Sequence, residues 1–181
     1  ALLLGRPISS IRQDAGHVTI ATESGETFVA DRAIVAVPIN VLRHLTFSPL
    51  LNRAKQALSR ERHSGAGRKL YVQIAGHWPT LNCAADADAP ISTVLVQEAT
   101  KTETLLVVFT VNDLLTSVTS EALQAGLRLF EPSIEVLDFT FHDWVDDPHA
   151  LGTWCSYRPG QTSTYLQQAQ VQEGRLHFCL L

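Results

Sequence analysis

Apolar and polar residues alternate through most of the first 38 positions, and this pattern predicts short β-strands. Residues 7–11 form a short extended run, residues 17–22 alternate as a half-buried strand does, and Gln13-Asp14-Ala15-Gly16 supplies turn residues between them. Residues 27–30 continue the pattern after a second turn. The unbroken apolar run from Ala33 to Val37 predicts a strand that is buried on both faces. The chain therefore opens as a small meander that leads into a core strand.

The apolar period becomes helical after Pro38. Asn40 is placed to cap a helical turn at residues 41–44, and residues 50–62 predict a helix with Lys55, Arg60 and Arg62 exposed. Ser64-Gly65-Ala66-Gly67 breaks that helix, and strict alternation follows over residues 68–75. Lys69 is expected at the start of this strand, on the face opposite the core.

The remaining pattern mixes strands with helices. It predicts a loop over 82–90, strands over 91–96, 105–111, 134–141 and 175–179, a helix over 112–130 with a new N-cap near Thr119, and a short helix near 163–170. The predicted fold class is α+β, in which a mixed β-sheet from residues 69–75 and 91–141 carries helices on one face.

The composition of the chain argues against several classes of function. The chain of 181 residues is 45% hydrophobic and 18% charged with a net charge of −4, and it has no basic cluster for nucleic acid. Its apolar runs are far shorter than the roughly 20 residues of a membrane span. Three cysteines at irregular spacing favour an intracellular protein over a secreted one. The chain starts at Ala1 and lacks methionine, so we interpret it as an internal piece of a longer protein.

Three groups of residues were candidates for chemistry. His142, His149 and Cys155 lack the spacing of zinc ligands, so no metal site is predicted. Lys69 at a strand start could hold a water or an anion if buried, or it could simply extend to solvent. The aromatic residues near Gly152 could wall a pocket for an amine or a planar cofactor, or they could fill a core; they are Trp144, Trp154 and Tyr157.

Four motifs resemble those of the flavin-containing amine oxidases, closest to the fungal and bacterial monoamine oxidase branch. They occur in the order of that family and cover nearly the whole chain. In chain order they are Ala33–Pro38 with Asn40–Leu42 and Leu45–Leu50; Gly67–Tyr71 with His77–Pro79; His142–Trp144 with Asp147-Pro148; and Gly152–Trp154 with Pro159-Gly160.

The resemblance implies a role for five residues. Lys69 would be the catalytic lysine that holds a water against flavin N5, the atom that receives hydride. Trp154 would form one wall of the cage that aligns the amine substrate, and Trp144 would pack beside the isoalloxazine ring. Main-chain groups of Ile8 would pair with the adenine of FAD. Thr153 replaces the cysteine that links covalently to flavin in some animal members, which implies non-covalent FAD.

The resemblance also implies a domain organisation. Residues 1–45 would be a partial FAD-binding domain, residues 46–143 the substrate-binding domain, and residues 144–181 a truncated return to the FAD-binding domain. A GxGxxG turn is missing from the sequence, and the chain ends before the family's second flavin motif. Most FAD contacts would then lie outside this chain, and the isolated chain is expected to be inactive.

The implied reaction is oxidation of a small-molecule amine to an imine by hydride transfer to flavin, followed by reoxidation with O2 to give H2O2. Three alternatives stay open within enzymes: a polyamine oxidase, an L-amino-acid oxidase and a desaturase of related fold. An alternative from another class is a non-catalytic binding module for a small molecule or a partner. In that module the aromatic residues form a pocket, and Lys69 is only a charge at the end of a strand.

Overall fold

The computed structural model describes residues 1–86, 88–110 and 118–180, and the chain divides into two units. The terminal unit combines Ala1–Gly65 with the stretch from Asp147 onward. The central unit is the continuous segment Ala66–Asp146. Each unit has its own hydrophobic core. The predicted boundaries at 45/46 and 143/144 refer to a flavin and a substrate domain, and they stay a prediction.

The terminal unit is built around two small sheets. Its four-stranded sheet has the order β3-β2-β1-β5, in which β1 and β5 are parallel and the other pairs antiparallel. β4 pairs in parallel with β11. The elements are β1 (Ile8–Gln13), β2 (Val18–Thr22), β3 (Thr27–Ala30), β4 (Ala33–Val35), a 3-10 turn (Leu42–His44), β5 (Thr46–Ser48), α1 (Arg53–Glu61), a π-helical turn (Thr162–Leu166) continued by one α-helical turn (Gln167–Ala169), and β11 (Leu176–Phe178).

The central unit is a five-stranded sheet with a helix on one face. Its order is β10-β6-β9-β8-β7, and every pair is antiparallel. The elements are β6 (Lys69–Ala75), β7 (Cys83–Ala84), β8 (Ile91–Ala99), β9 (Glu103–Thr110), α2 (Ser120–Leu127) and β10 (Val136–Phe141). Leu123 and Leu127 of α2 join one core with the inward residues of β6, which are Leu70, Val72 and Ile74.

The predicted α+β class is confirmed, and the strand pairing differs in detail. Mixed parallel and antiparallel pairing occurs in the four-stranded sheet of the terminal unit, whereas the sheet of the central unit is antiparallel throughout. The predicted N-cap at Thr119 is confirmed, since its side chain accepts a hydrogen bond from the Ala122 N–H. The first part of the helix predicted over 112–130 falls at residues 112–117, which lie outside the described residues.

Four local predictions were wrong. Ile34 is 75% exposed, because β4 belongs to a two-stranded sheet that covers only one of its faces. The 3-10 turn at 42–44 begins after Val41 without a side-chain cap, so Asn40 does not cap it. The predicted loop over 82–90 contains β7, which forms by pairing with β8. Lys55, expected on an exposed face, is fully buried.

Lys55 is buried because the C-terminal segment supplies partners for its charge. Its Nζ donates to the carbonyl oxygens of Gln168 and Val171 at 3.0 and 2.7 Å, and to the Glu173 carboxylate at 2.7 Å. It also lies 4.3 Å from the centre of the Phe178 ring. These contacts satisfy all three ammonium protons and hold the segment before β11 against α1.

Candidate functional site

Lys69 and Trp144 both belong to the central unit. Lys69 is the first residue of β6 and pairs with Phe109 of β9. Its side chain is exposed, as the alternation predicted, and its Nζ lies 5.1 Å from the centre of the Tyr71 ring on the same face of the strand. The ammonium is thus open to a bound water or ligand, with an aromatic ring beside it.

Arg68 and Asp143, the sequence neighbours of Lys69 and Trp144, form a partly buried ion pair. Arg68, 7% exposed, donates from both Nε and Nη2 to the Asp143 carboxylate at 3.0 Å. Burial alone would raise the pKa of Asp143, but the hydrogen bond and charge of Arg68 and the N–H groups of Val145 and Asp146 outweigh it, so this pKa is lower than usual.

The same ion pair fixes the end of β10 against the start of β6. Leu70 of β6 faces Phe141 of β10 in the antiparallel register, so Lys69 and Trp144 come to the same end of the strand pair. Trp144 is 49% exposed and meets the His142 ring edge to face, with ring centres 4.3 Å apart. The sequence analysis missed Arg68 and Asp143. Their signal was opposite charges at the facing ends of two strands.

Thr153 and Trp154 lie in the terminal unit, where their backbone crosses that of Gly65. The Thr153 N–H donates to the Gly65 carbonyl at 3.0 Å, and the Ser64 N–H donates to the Ser156 carbonyl at 2.8 Å. A Cβ on Gly65 would stand 2.0 Å from the carbonyl oxygen of Trp154. Only glycine permits this approach. Trp154 is 49% exposed.

The Thr153 hydroxyl is buried without a hydrogen-bond partner among the described residues. A buried hydroxyl normally finds a partner, and an orphan is a sign of a group that binds there. This observation fits a bound cofactor or ligand with a polar atom facing Thr153.

His63 lies beneath this crossing and was missed by the sequence analysis. It is 4% exposed, and its Nδ1 accepts a hydrogen bond from the Gly65 N–H at 3.0 Å. Asn40 accepts from the His63 N–H through Oδ1 at 2.9 Å and donates through Nδ2 to the Leu151 carbonyl at 2.8 Å. Gly152 packs so closely that a Cβ there would be 2.7 Å from both the His63 ring and the Asn40 amide nitrogen.

Burial lowers the pKa of His63, and the charges of Arg62 and Arg158 lower it further. The imidazole is therefore neutral at pH 7, as its role as acceptor requires. No spacing in the sequence indicated this arrangement, because the contacts join residues 40, 63 and 151, which are far apart in the chain.

Ile8, the fifth predicted residue, also lies in the terminal unit. It begins β1, pairs with Thr22, and lines an open cavity of about 450 Å³. Arg43, His44 and Leu151 are among the other residues that line this cavity. The fold thus brings Ile8 to the loop that precedes Thr153.

Two further searches cover only the described part of the chain. Among those residues, no group of three histidine, cysteine or carboxylate side chains is placed to hold a metal ion. None of the helices described is both long and apolar enough to span a membrane.

Comparison with known proteins identifies the family. The family of flavin containing amine oxidoreductases matches residues 1–179, so the chain belongs to this family. The resemblance inferred from the four motifs is thereby confirmed.

Two curated relatives and one solved structure illustrate the similarity. The chain is 36% identical over 179 residues to pseudooxynicotine dehydrogenase of Pseudomonas sp, an alignment that covers 97% of this chain and 36% of that protein. It is 30% identical over 171 residues to (S)-6-hydroxynicotine oxidase of Paenarthrobacter nicotinovorans, covering 94% and 40%.

Wild-type putrescine oxidase bound to putrescine has the same fold, with a TM-score of 0.81 at 18% identity, covering 98% of this chain and 43% of that one. The chain therefore spans between a third and a half of the length of the proteins it matches.

Proposed function

We propose that this chain of 181 residues forms the substrate-binding region and part of the flavin-binding region of an FAD-dependent amine oxidase. The observation that carries the proposal is the buried hydroxyl of Thr153, which has no hydrogen-bond partner in the part of the chain that the structure describes. It lies next to the half-exposed Trp154, and the two residues occupy the positions where the family motif would adjoin flavin and substrate. The domain limits predicted from the sequence, 1–45, 46–143 and 144–181, are part of the same proposal.

The bound FAD would supply hydride acceptance and reoxidation by O2. Each predicted residue then has a defined task. Lys69 holds a water with its ammonium protons, and Trp154 presents an aromatic wall to the amine. Trp144 packs against the flavin ring, and the main chain at Ile8 binds the adenine. Thr153 has a hydroxyl where a thioether would need a cysteine sulfur, so the FAD is held non-covalently.

The substrate we propose is a small amine bearing an apolar or planar group, because a tryptophan wall favours such a group. Pseudooxynicotine dehydrogenase and (S)-6-hydroxynicotine oxidase are named for compounds of this kind, and these two relatives share 36% and 30% identity with the chain. Pseudooxynicotine, (S)-6-hydroxynicotine and putrescine form a suitable first panel of substrates.

The test uses the protein that carries these 181 residues, purified with its flavin. Acid denaturation should release the flavin as free FAD. Anaerobic mixing with the active amine of the panel should bleach the flavin absorbance. In Lys69→Met, flavin reduction or its reoxidation by O2 should slow by about 10²-fold, the loss expected when a positioned proton-transfer group is removed.

Lys101→Met is the matched control, because Lys101 is also exposed and lies in the turn between β8 and β9. Its rates should equal those of the wild type. Unchanged reduction and reoxidation in Lys69→Met would contradict the role of Lys69. Absence of bound flavin from the purified protein would contradict the oxidase and favour a non-catalytic binding module.

A further inference from the structure

The His63 ring is a buried polar group beneath Thr153 and Trp154. A continuous series of contacts leads from it to these two residues. His63 Nδ1 accepts from the Gly65 N–H, the Gly65 carbonyl accepts from the Thr153 N–H, and the Gly65 Cα lies against the Trp154 carbonyl. The backbone under the proposed cofactor and substrate contacts is thus set by one buried imidazole.

We propose that His63 is a positioning residue whose neutral imidazole holds the Gly65–Thr153 crossing and releases it on protonation. The physical reason is that Nδ1 can accept the Gly65 N–H only through its lone pair. A proton on Nδ1 converts that acceptor to a donor and leaves two N–H groups facing each other. Part of this inference, the effect on flavin and amine, depends on the function proposed above.

The surroundings of His63 prevent an easy rearrangement. Asn40 fixes its backbone N–H, and Gly152 packs closely against the ring edge, which opposes a rotation of the ring toward that side. Protonation would therefore disturb the crossing itself, which is the element that presents Thr153 and Trp154.

The charges around His63 also oppose a proton. Arg62, at the end of α1, donates to the Leu151 carbonyl at 2.8 Å, and Arg158 donates to the carbonyls of Glu61 and Arg62. The nearby Glu61 carboxylate accepts hydrogen bonds from the Tyr165 hydroxyl and the Gln161 side-chain amide. Because burial and two guanidinium groups act together, they lower the pKa of His63, so its protonation requires a lower pH than that of an ordinary histidine, and the crossing is intact at neutral pH.

The first experiment follows the backbone directly and needs no flavin. In the ¹⁵N-labelled 181-residue chain, the amide resonances of Gly65 and Thr153 are recorded from about pH 8 to about pH 4, a range that spans histidine titration. Both should titrate with one common midpoint below the usual histidine value. If the two amides show no common titration, the proposal is wrong.

Two variants separate the titrating group from the hydrogen bond. In His63→Asn, an amide oxygen takes the place of Nδ1 and does not titrate, so the Gly65 amide should keep its hydrogen bond and lose its pH dependence. In His63→Leu, the acceptor is gone, and hydrogen exchange at the Gly65 amide should accelerate by about tenfold, the equilibrium effect of one buried hydrogen bond. Wild-type pH dependence retained in His63→Asn would overturn the proposal, whether or not His63→Leu folds.

A second experiment tests the link to function in the flavin-loaded protein. Amine-dependent flavin reduction in the wild type should fall at acid pH with the midpoint seen for the two amides, and His63→Asn should remove this fall while keeping the rate at pH 7 within about twofold. If the amides titrate but reduction does not follow them, the functional link is wrong. If the amides titrate and no flavin binds, the proposed function fails while the structural role of His63 stands.

Discussion

At Gly65 the addition of a single atom is predicted to have a large effect on stability. An added Cβ would lie 2.0 Å from the Trp154 carbonyl oxygen and 3.2 Å from His63 Nδ1, and the nearer of these atoms belongs to the backbone. Gly65→Ala should therefore lower the free energy of unfolding by about 2–3 kcal/mol, the cost of overpacking a rigid site. Urea denaturation of the 181-residue chain measures this loss.

Gly16→Ala is the control for that substitution. A Cβ on Gly16 meets only the Asp14 carboxylate at 3.4 Å, an ordinary contact distance. Its free energy of unfolding should stay within about 0.5 kcal/mol of the wild type. An equal loss in the two variants would show that the close approach at Gly65 is not what the substitution disturbs.

Two lysines show what a residue pattern can and cannot predict. The alternation of β6 placed Lys69 on the exposed face, because the period of a strand directly assigns each side chain to a face. The same reasoning placed Lys55 in solvent, whereas the structure buries it. Its partners Gln168, Val171 and Glu173 come from the far end of the chain, and no local period carries that information.

Between elements, the Arg68–Asp143 ion pair adds a side-chain contact to the strand pairing where β6 begins and β10 ends. Asp143→Asn removes the charge but keeps an oxygen that can accept from Val145 and Asp146. At neutral pH the variant should be less stable by about 1–2 kcal/mol, because Arg68 is then buried opposite a neutral group. Urea denaturation over a pH series measures the difference between the two proteins.

The sign of the pH dependence follows from the lowered pKa of Asp143. A carboxyl group whose pKa is lower in the folded state stabilises the protein above its ordinary value of 3.8, and this stabilisation is lost as the pH falls through the folded-state pKa. The difference in free energy of unfolding between the wild type and Asp143→Asn should therefore disappear only below about pH 4.

Glu26→Gln is the matched control for Asp143→Asn, since it breaks the Arg6–Glu26 ion pair, whose side chains are 44% and 43% exposed. It should cost less than about 0.5 kcal/mol. If Glu26→Gln costs as much as Asp143→Asn, burial does not strengthen the Arg68–Asp143 pair.

The two strands that the sequence did not predict, β5 and β7, are among the shortest elements described. β5 has three residues and β7 has two, and neither has room for a recognisable period. β5 exists because Phe47 faces Ile11 of β1 in a parallel pair, and β7 because Cys83 faces Val94 of β8. Longer elements with a clear apolar period, such as β6 and α1, were predicted close to their observed limits.

At the scale of the whole molecule, the sequence supplied candidate site residues, whose roles stay predictions, but not the contacts that surround them. The candidates Lys69, Trp144, Thr153 and Trp154 came from motifs that are continuous in the chain, and Ile8 came from its place next to Pro7. The contacts of His63 with Asn40 and Gly65 and those of Asn40 with Leu151 join segments as much as 111 positions apart. Such contacts depend on the folded backbone, and only the structure reveals them.

The central unit is continuous in sequence and has a complete core, so it should fold without the terminal unit. Its buried residues come from β6, β8, β9, α2 and the segment leading to β10, all within Ala66–Asp146. We expect the isolated segment 66–146 to give a dispersed amide spectrum and a single cooperative urea transition.

A core variant and a surface variant test whether the urea transition of segment 66–146 is the unfolding of the hydrophobic core described above. Leu106 is fully buried in β9, and Leu106→Ala should lower the free energy of unfolding by about 2–5 kcal/mol. In a small domain of marginal stability, this loss is enough to leave most of the molecules unfolded. Leu129 is 72% exposed, and Leu129→Ala should leave the transition nearly unchanged. A broad transition that responds equally to both substitutions would show that Ala66–Asp146 depends on the rest of the chain for its fold.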